Sequence, residues 1–349
     1  MKKKIMLGIL LVVLLAGVGF GGYYLGTKKT NKCDVEDPKK SQEENKPVED
    51  TKKYSVVISN ERDLIYEVDD NYQVLWTYNI KDSTNVYNIT RVDGEYIYYV
   101  DGDILHRRNY NTGDIENLEI ELKDYWNFHV DGNNVVYNVL FDLYHVDLTT
   151  KKETKLTITT DNQDALINGI IYFTNKADGT LSTYKFETKE IVKLEDSGRI
   201  EEYNKDGILY VNGNDEYIYY NAKNSTKQKI LKQEHAHSSG LNYPIHIYNN
   251  KVYTMEKDVL TIVGDTKEEV YKRVLKDNEQ VTDFIFISNN KILLSMFVMD
   301  DESTCESDIC EPEGDYKYYL VDLKTKEEKE ITEHVDVFDV SYEVYNIVK

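Results

Sequence analysis

The side chains able to do chemistry in this 349-residue chain gather in two polar stretches. His235 and His237 stand two apart, and in an extended segment both would project from one face, as a metal pair requires. No third ligand is apparent, His246 being the nearest candidate, and a polar loop that happens to hold histidines is the simpler reading. The second stretch, residues 299–315, carries Asp300, Asp301, Glu302, Glu306, Asp308 and Glu311 together with Glu313 and Asp315, a density of hard oxygen ligands suited to calcium. It lacks the glycine-containing spacing of a calcium hand, and a solvated acidic loop accounts for the same residues. Cys305 and Cys310 flank four residues inside it, where a local disulfide can form in an oxidising compartment, and Cys33 is left over. A long insertion on a regular scaffold is where specificity resides, so this acidic stretch is the expected partner-binding segment.

Other constellations fail on context. Ser182 and Lys185 have the Ser-x-x-Lys spacing, but they fall in a predicted strand, whereas that nucleophile chemistry is set on a helix start. Gly17, Gly19 and Gly22 match a dinucleotide-binding spacing with no strand before them. Arg62, Arg91, Arg107, Arg108, Arg199 and Arg273 are too scattered along the chain to suggest a sialidase-like cluster. Paired carboxylates abound in so acidic a chain and identify no hydrolase by themselves. No catalytic residue is therefore expected.

The apolar content, 40%, is enough for a large core, and the net charge is -21. Residues 1–53 hold eleven lysines and seven acids, so the remainder sets 31 basic against 56 acidic residues, a net -25. Such a surface repels phosphate backbones, and nucleic acid is not an expected partner. Residues 5–25 form an uncharged apolar run behind Lys2, Lys3 and Lys4, long enough as a helix to span a bilayer core. The expected organisation is a cytoplasmic stub over residues 1–4, a transmembrane signal-anchor helix over 5–25, a disordered charged linker over 26–53 and a head over 54–349 outside the membrane. A cleaved signal peptide is the competing interpretation of the apolar run.

The elements that position any site are strands. Short runs rich in Tyr, Val, Ile and Thr alternate with Asp-Gly, Asn-Gly or Asn-Asn pairs, the pattern of strands joined by tight turns. One such turn recurs at Asp93-Gly94, Asp131-Gly132, Asn168-Gly169, Asp206-Gly207, Asn249-Asn250 and Asn289-Asn290, roughly forty residues apart, a period expected of propeller blades. An apolar run follows each turn, and a second set of polar hairpins accompanies the first, as at Asp147-Leu148-Thr149-Thr150 and Asp322-Leu323-Lys324-Thr325. The prediction is an all-β, seven-bladed β-propeller, the same spacing accommodating six or eight blades. The opening unit lacks an inner strand, and residues 337–348 alternate as a strand should, so the chain end is expected to pair with the first blade and close the ring.

The repeated Asp-Gly or Asn-Gly followed by Ile-Tyr-Tyr, as in residues 93–99 and 168–172, resembles bacterial cell-envelope β-propellers of the TolB-like and low-density-lipoprotein-receptor-like kind. Residues 69–79 also look like one repeat of the quinoprotein propellers, but only this unit has the tryptophan, which argues against a quinone cofactor. The resemblance implies a fold and a binding or scaffolding role, and no functional residue carries over. The expected function is a membrane-anchored extracytoplasmic module engaging a protein, peptide or glycan, with no cofactor beyond calcium at the acidic insertion. The alternative is a tethered glycan hydrolase or lyase with carboxylates at the channel mouth.

Overall fold

The computed structural model describes residues 54–59, 64–79, 90–232, 244–264, 266–300, 314–332 and 343–348. Residues 51–349 make one compact unit. The apolar run and the linker lie outside the described residues, among which no helix is long and apolar enough to cross a membrane.

The described chain is a succession of antiparallel meanders. The first comprises β1 (Tyr54–Ser59), β2 (Leu64–Asp69) and β3 (Val74–Asn79). The second holds β4 (Thr90–Asp93), β5 (Tyr96–Asp101), β6 (Ile104–Asn109) and β7 (Ile115–Glu121). Next come β8 (Asn127–Asp131), β9 (Asn134–Val139), β10 (Asp142–Asp147) and the long β11 (Lys152–Ile167), which continues into β12 (Ile170–Asn175), β13 (Leu181–Lys185) and β14 (Ile191–Glu195). Three more four-stranded sheets follow. They are β15 (Gly198–Asn204), β16 (Gly207–Asn212), β17 (Glu216–Asn221) and β18 (Thr226–Lys232); β19 (Ile245–Tyr248), β20 (Lys251–Glu256), β21 (Val259–Val263) and β22 (Glu268–Lys272); and β23 (Glu279–Ser288), β24 (Lys291–Met299), β25 (Gly314–Asp322) and β26 (Glu328–Glu330). Finally β27 (Glu343–Val348) pairs with β1, in register from Tyr54↔Val348 to Ser59↔Glu343.

β11 serves two meanders at once. Its first half pairs with β10 and its second half with β12, with the register broken between Thr160 and Asp164 where Asn162 adopts a φ of 60°. A connection such as residues 122–126 separates β7 from β8. Here the chain bends without leaving the hydrogen-bonded ladder, so two sheets merge into one of seven strands.

The leading strands adjoin one another in order: β27 beside β4, β4 beside β8, β8 beside β11, β11 beside β15, β15 beside β19, then β23 beside β20 of that sheet and beside β27. The row returns on itself, an all-β, propeller-like arrangement. Buried clusters lie between consecutive sheets. Tyr98, Val100 and Leu105 meet Phe128, Val135 and Tyr137 across one gap, and Leu209, Val211 and Tyr219 meet Ile247, Val252 and Val263 across another. A strand sandwiched in this way is buried on both faces, which is why β5 and β12 read as continuous apolar runs, whereas the outer β7 alternates. Each fully buried Leu or Phe stabilises the fold by about 1.5–3 kcal/mol. Tyrosine hydroxyls that reach the sheet edges are matched with the chain's carboxylates: Tyr78 donates to Asp101 and Tyr210 to Glu195, each at 2.7–2.8 Å. Burial together with the Asp101 charge pushes Tyr78 up to about 12.

Because the strands alternate in direction, every sheet has two ends of different character. At one end lie the turns between first and second strands and the hairpins between third and fourth. The hairpins share one device, in which the first Asp or Asn folds its side chain over the turn. Asp147 Oδ1 accepts from the amides of Thr149 and Thr150, and Asp322 Oδ1 from those of Lys324 and Thr325. The first-to-second turns also bind their neighbours. Gly132 N–H donates to Asp93 at 2.8 Å and Gly169 N–H to Asp131, so each aspartate reaches the turn of the next repeat. Gly132 and Gly169 sit at φ of 58° and 70°, which orients these amides and suits glycine. Asn249 donates to Asn289, and Lys291 reaches Asp70 and Asn71, tying the last full sheet to the first. This is the clasped rim. The other end, the open rim, carries the second-to-third turns and the connections between sheets. β18 ends there and β19 begins there, as do β24 and β25, and β26 and β27.

Candidate functional site

The expected site residues divide sharply. Asp300 follows β24 on the open rim and is exposed. Asp301, Glu302, Cys305, Glu306, Asp308, Cys310 and Glu311 lie outside the described residues, as do His235 and His237. The calcium loop, the disulfide and the histidine pair therefore stay expectations. His246, the candidate third ligand, is described and is otherwise engaged: both ring nitrogens face carboxylates. Among the described residues no group of His, Cys, Asp or Glu is arranged to hold a metal ion. Ser182 is buried within β13 while Lys185 ends the same strand exposed, so the pair forms no nucleophile site. The described arginines are occupied structurally; Arg108 pairs with the buried Glu67 and lies over Trp76, and Arg273 pairs with Glu328 over Tyr319.

What the fold does assemble was not singled out by sequence. The leading strands of successive sheets each present a titratable residue near the same level: Arg91 on β4, His129 on β8, Asp164 on β11, Glu202 with Tyr203 on β15, His246 on β19 and Asp283 on β23. Neighbours in this series stand 35 to 44 positions apart, about one repeat. That periodic spacing was the signal available in the sequence.

One half of the series is sealed. His129 and Asp164 are 2% and 0% exposed, with Nε2 2.9 Å from Asp164 Oδ2. The Tyr203 hydroxyl lies 2.9 Å from His129 Nδ1. Asn138 donates to the second oxygen of Asp164 and its own amide oxygen accepts from Asn127 N–H, while Arg91 bonds the Asn127 side chain. A neutral imidazole with hydrogen on Nε2 satisfies both neighbours, donating to the carboxylate and accepting from the phenol. Burial outweighs the Asp164 charge and pushes His129 below the usual histidine range.

The other half opens to a cavity. His246 Nε2 lies 2.8 Å from Asp283 Oδ1 and Nδ1 3.4 Å from Glu202 Oε2, its ring edge-on to Phe284. Its side chain is 32% exposed. Carboxylates beside both ring nitrogens favour the protonated ring. Burial opposes the charge, but Glu202 and Asp283 together hold His246 well above the usual range. Beside it lies a cavity of about 1220 Å³ on the open rim, lined by Pro244, His246, Lys257, Asp277, Gln280 and Asp283 among others. Lys276 and Glu279, also on its wall, are paired with each other. The lining mixes both charges with short apolar walls from Met255, Leu275 and Val281, which suits a polar ligand with its own hydrogen-bonding groups.

No family model matches the chain. No curated protein matches it. Among solved structures it is similar to the dihydro-heme d1 dehydrogenase NirN (10% identity, TM-score 0.46, covering 84% of this chain and 75% of that one). It is similar to apo AztD from Citrobacter koseri (11%, TM-score 0.48, 85% and 98%) and to PorZ, a bacterial surface component of the type-IX secretion system of Porphyromonas gingivalis (13%, TM-score 0.46, 79% and 37%). At these scores the fold rests on the strand pairing and the closed row of leading strands.

Proposed function

We propose that this chain is a membrane-anchored binding protein. Its head is a seven-bladed propeller that uses the open-rim cavity beside His246 to engage a protein, peptide or glycan outside the cell membrane. Seven blades are supported by counting β11 twice, which turns the seven-stranded sheet into two four-stranded units beside five others. The anchor and the outward orientation rest on the apolar run 5–25 and its lysines.

The observation that carries the binding function is the state of the only histidine lining the described cavity. A general base needs a free lone pair, whereas His246 bonds Asp283 through Nε2, sets Nδ1 3.4 Å from Glu202, and is held by these two carboxylates well above the usual range. The two carboxylates that a glycan hydrolase would set across a bond instead share this cation. The site is built to hold charge in place, which favours recognition over turnover.

The test uses the full chain in detergent micelles on a glycan array and against a displayed random-peptide library. Saturable binding that Asp277→Lys or Lys257→Glu abolishes, without product release, is the expected result. Cleavage of a glycan by the wild-type chain would overturn it. Protease treatment of intact cells checks the topology, the head being digested if it lies outside.

A further inference from the structure

We propose that the cavity beside His246 takes an extended peptide segment, which adds as a strand to the free edge of β23. The last sheet outgrows its siblings on the open rim. Its leading strand has ten residues where β4 and β19 have four and β8 has five. β24 and β25 have nine residues each, where the second strands β5, β9, β12, β16 and β20 have six. The surplus of β23, from Glu279 to Asp283, forms one wall of the cavity. This assignment rests on the cavity being the binding site proposed above.

The register of that wall decides which backbone groups face the cavity. Glu279 lies opposite Val298, Gln280 opposite Phe297 and Val281 opposite Met296, and Met299 N–H donates to Asn278 O. That bond makes Glu279 and Val298 a non-hydrogen-bonded pair, so Gln280 exchanges both bonds with Phe297, and the N–H and C=O of Val281 point away from β24. β23 is the edge of its sheet, and neither group of Val281 meets a partner among the described residues. Val281 lines the cavity and is 7% exposed. A backbone donor and acceptor this sheltered cost stability when left unmade. The outer edges β18, β22 and β26 are rich in lysine or glutamate, which discourages strand addition; this inner edge presents an apolar side chain instead. A saccharide hydroxyl satisfies either group of Val281 singly, whereas a peptide residue lying opposite satisfies both at once. The surrounding side chains define the segment. Met255, Leu275 and Val281 offer an apolar seat, Lys276 is paired with Glu279, and His246 with Asp283. The charges that remain on the wall, Lys257 and Asp277, cancel. The net -25 beyond residue 53 therefore sets the preference, for a strand that alternates apolar with basic residues.

The probe is a fluorescein-labelled, amidated heptapeptide of alternating valine and lysine, titrated against the full chain in detergent micelles. Saturable binding is expected. N-methylating all its valines and N-methylating all its lysines should differ, one pattern weakening binding roughly tenfold and the other leaving it unchanged, because only alternate peptide N–H groups face the edge. In chain labelled with nitrogen-15 valine, the Val281 amide is identified by the signal that Val281→Ile removes. It should exchange with solvent roughly tenfold more slowly when the peptide is bound. Equal effects of the two methylation patterns, an unprotected Val281 amide or an absence of peptide binding each overturns strand addition. If a glycan then binds and Asp277→Lys abolishes that binding, the cavity keeps its binding role without the peptide; if neither peptide nor glycan binds, both readings fall.

Discussion

Two histidines on leading strands, each between partners from two other repeats, are pushed in opposite directions from the usual histidine range. His129 joins β8 to Asp164 on β11 and Tyr203 on β15; His246 joins β19 to Glu202 on β15 and Asp283 on β23. The residue type and the repeat position are shared. What differs is the number of acceptors and access to water. Full burial beside a single carboxylate pushes the first ring below the usual range, while two carboxylates hold the second, with a third of its side chain in water, above it. A propeller-like scaffold can thus use one repeat position as a structural clasp in one sector and as part of a binding wall in another.

The strongest way to break this contrast is His129→Ala. It leaves Asp164 buried without its main partner and should cost about 3–5 kcal/mol, measured by urea unfolding of the full chain in micelles. Tyr203→Phe removes one hydrogen bond from the same clasp and should cost about 0.5–1.5 kcal/mol without changing the denaturant slope. His246→Gln at neutral pH should cost under about 1 kcal/mol, since water screens this pair, yet it should alter ligand binding where Tyr203→Phe does not.

The pH dependences have opposite signs. His129 has a lowered folded value, so its contribution is present above the ordinary histidine range and is lost as pH falls through the folded value. His246 has a raised folded value, so its contribution is complete below the ordinary range and is lost as pH rises through the folded value. Imidazole proton resonances read this without perturbing the fold: His246 should titrate above 6.5 and His129 below it. Identical titrations of the two rings would remove the distinction.

Much of the architecture was legible along the chain. Asp93-Gly94, Asp131-Gly132 and Asn168-Gly169 marked the first-to-second turns, and Asp147 and Asp322 marked hairpins, because turn chemistry is local and depends on residues within three or four positions. The second duty of Asp93 and Asp131, accepting from the next repeat's glycine, was invisible, since it depends on how repeats stack. The site was less legible still. Reactive residue types crowd together in sequence at His235, His237 and the acidic stretch after Met299, all but Asp300 and Asp315 outside the described residues. The sites that form in the described residues draw on side chains a whole repeat apart, among them Asp164, 35 positions from His129, and Tyr203, 74 positions from it.

The sequence alone therefore determined the strand-and-turn grammar and its period, because tight turns and burial on two faces impose their residue choices locally. Only the tertiary structure decided which carboxylates meet which histidine and which ring is charged. Protonation follows from partners and water, and both are supplied by sheets distant in sequence that come together when the row of strands closes.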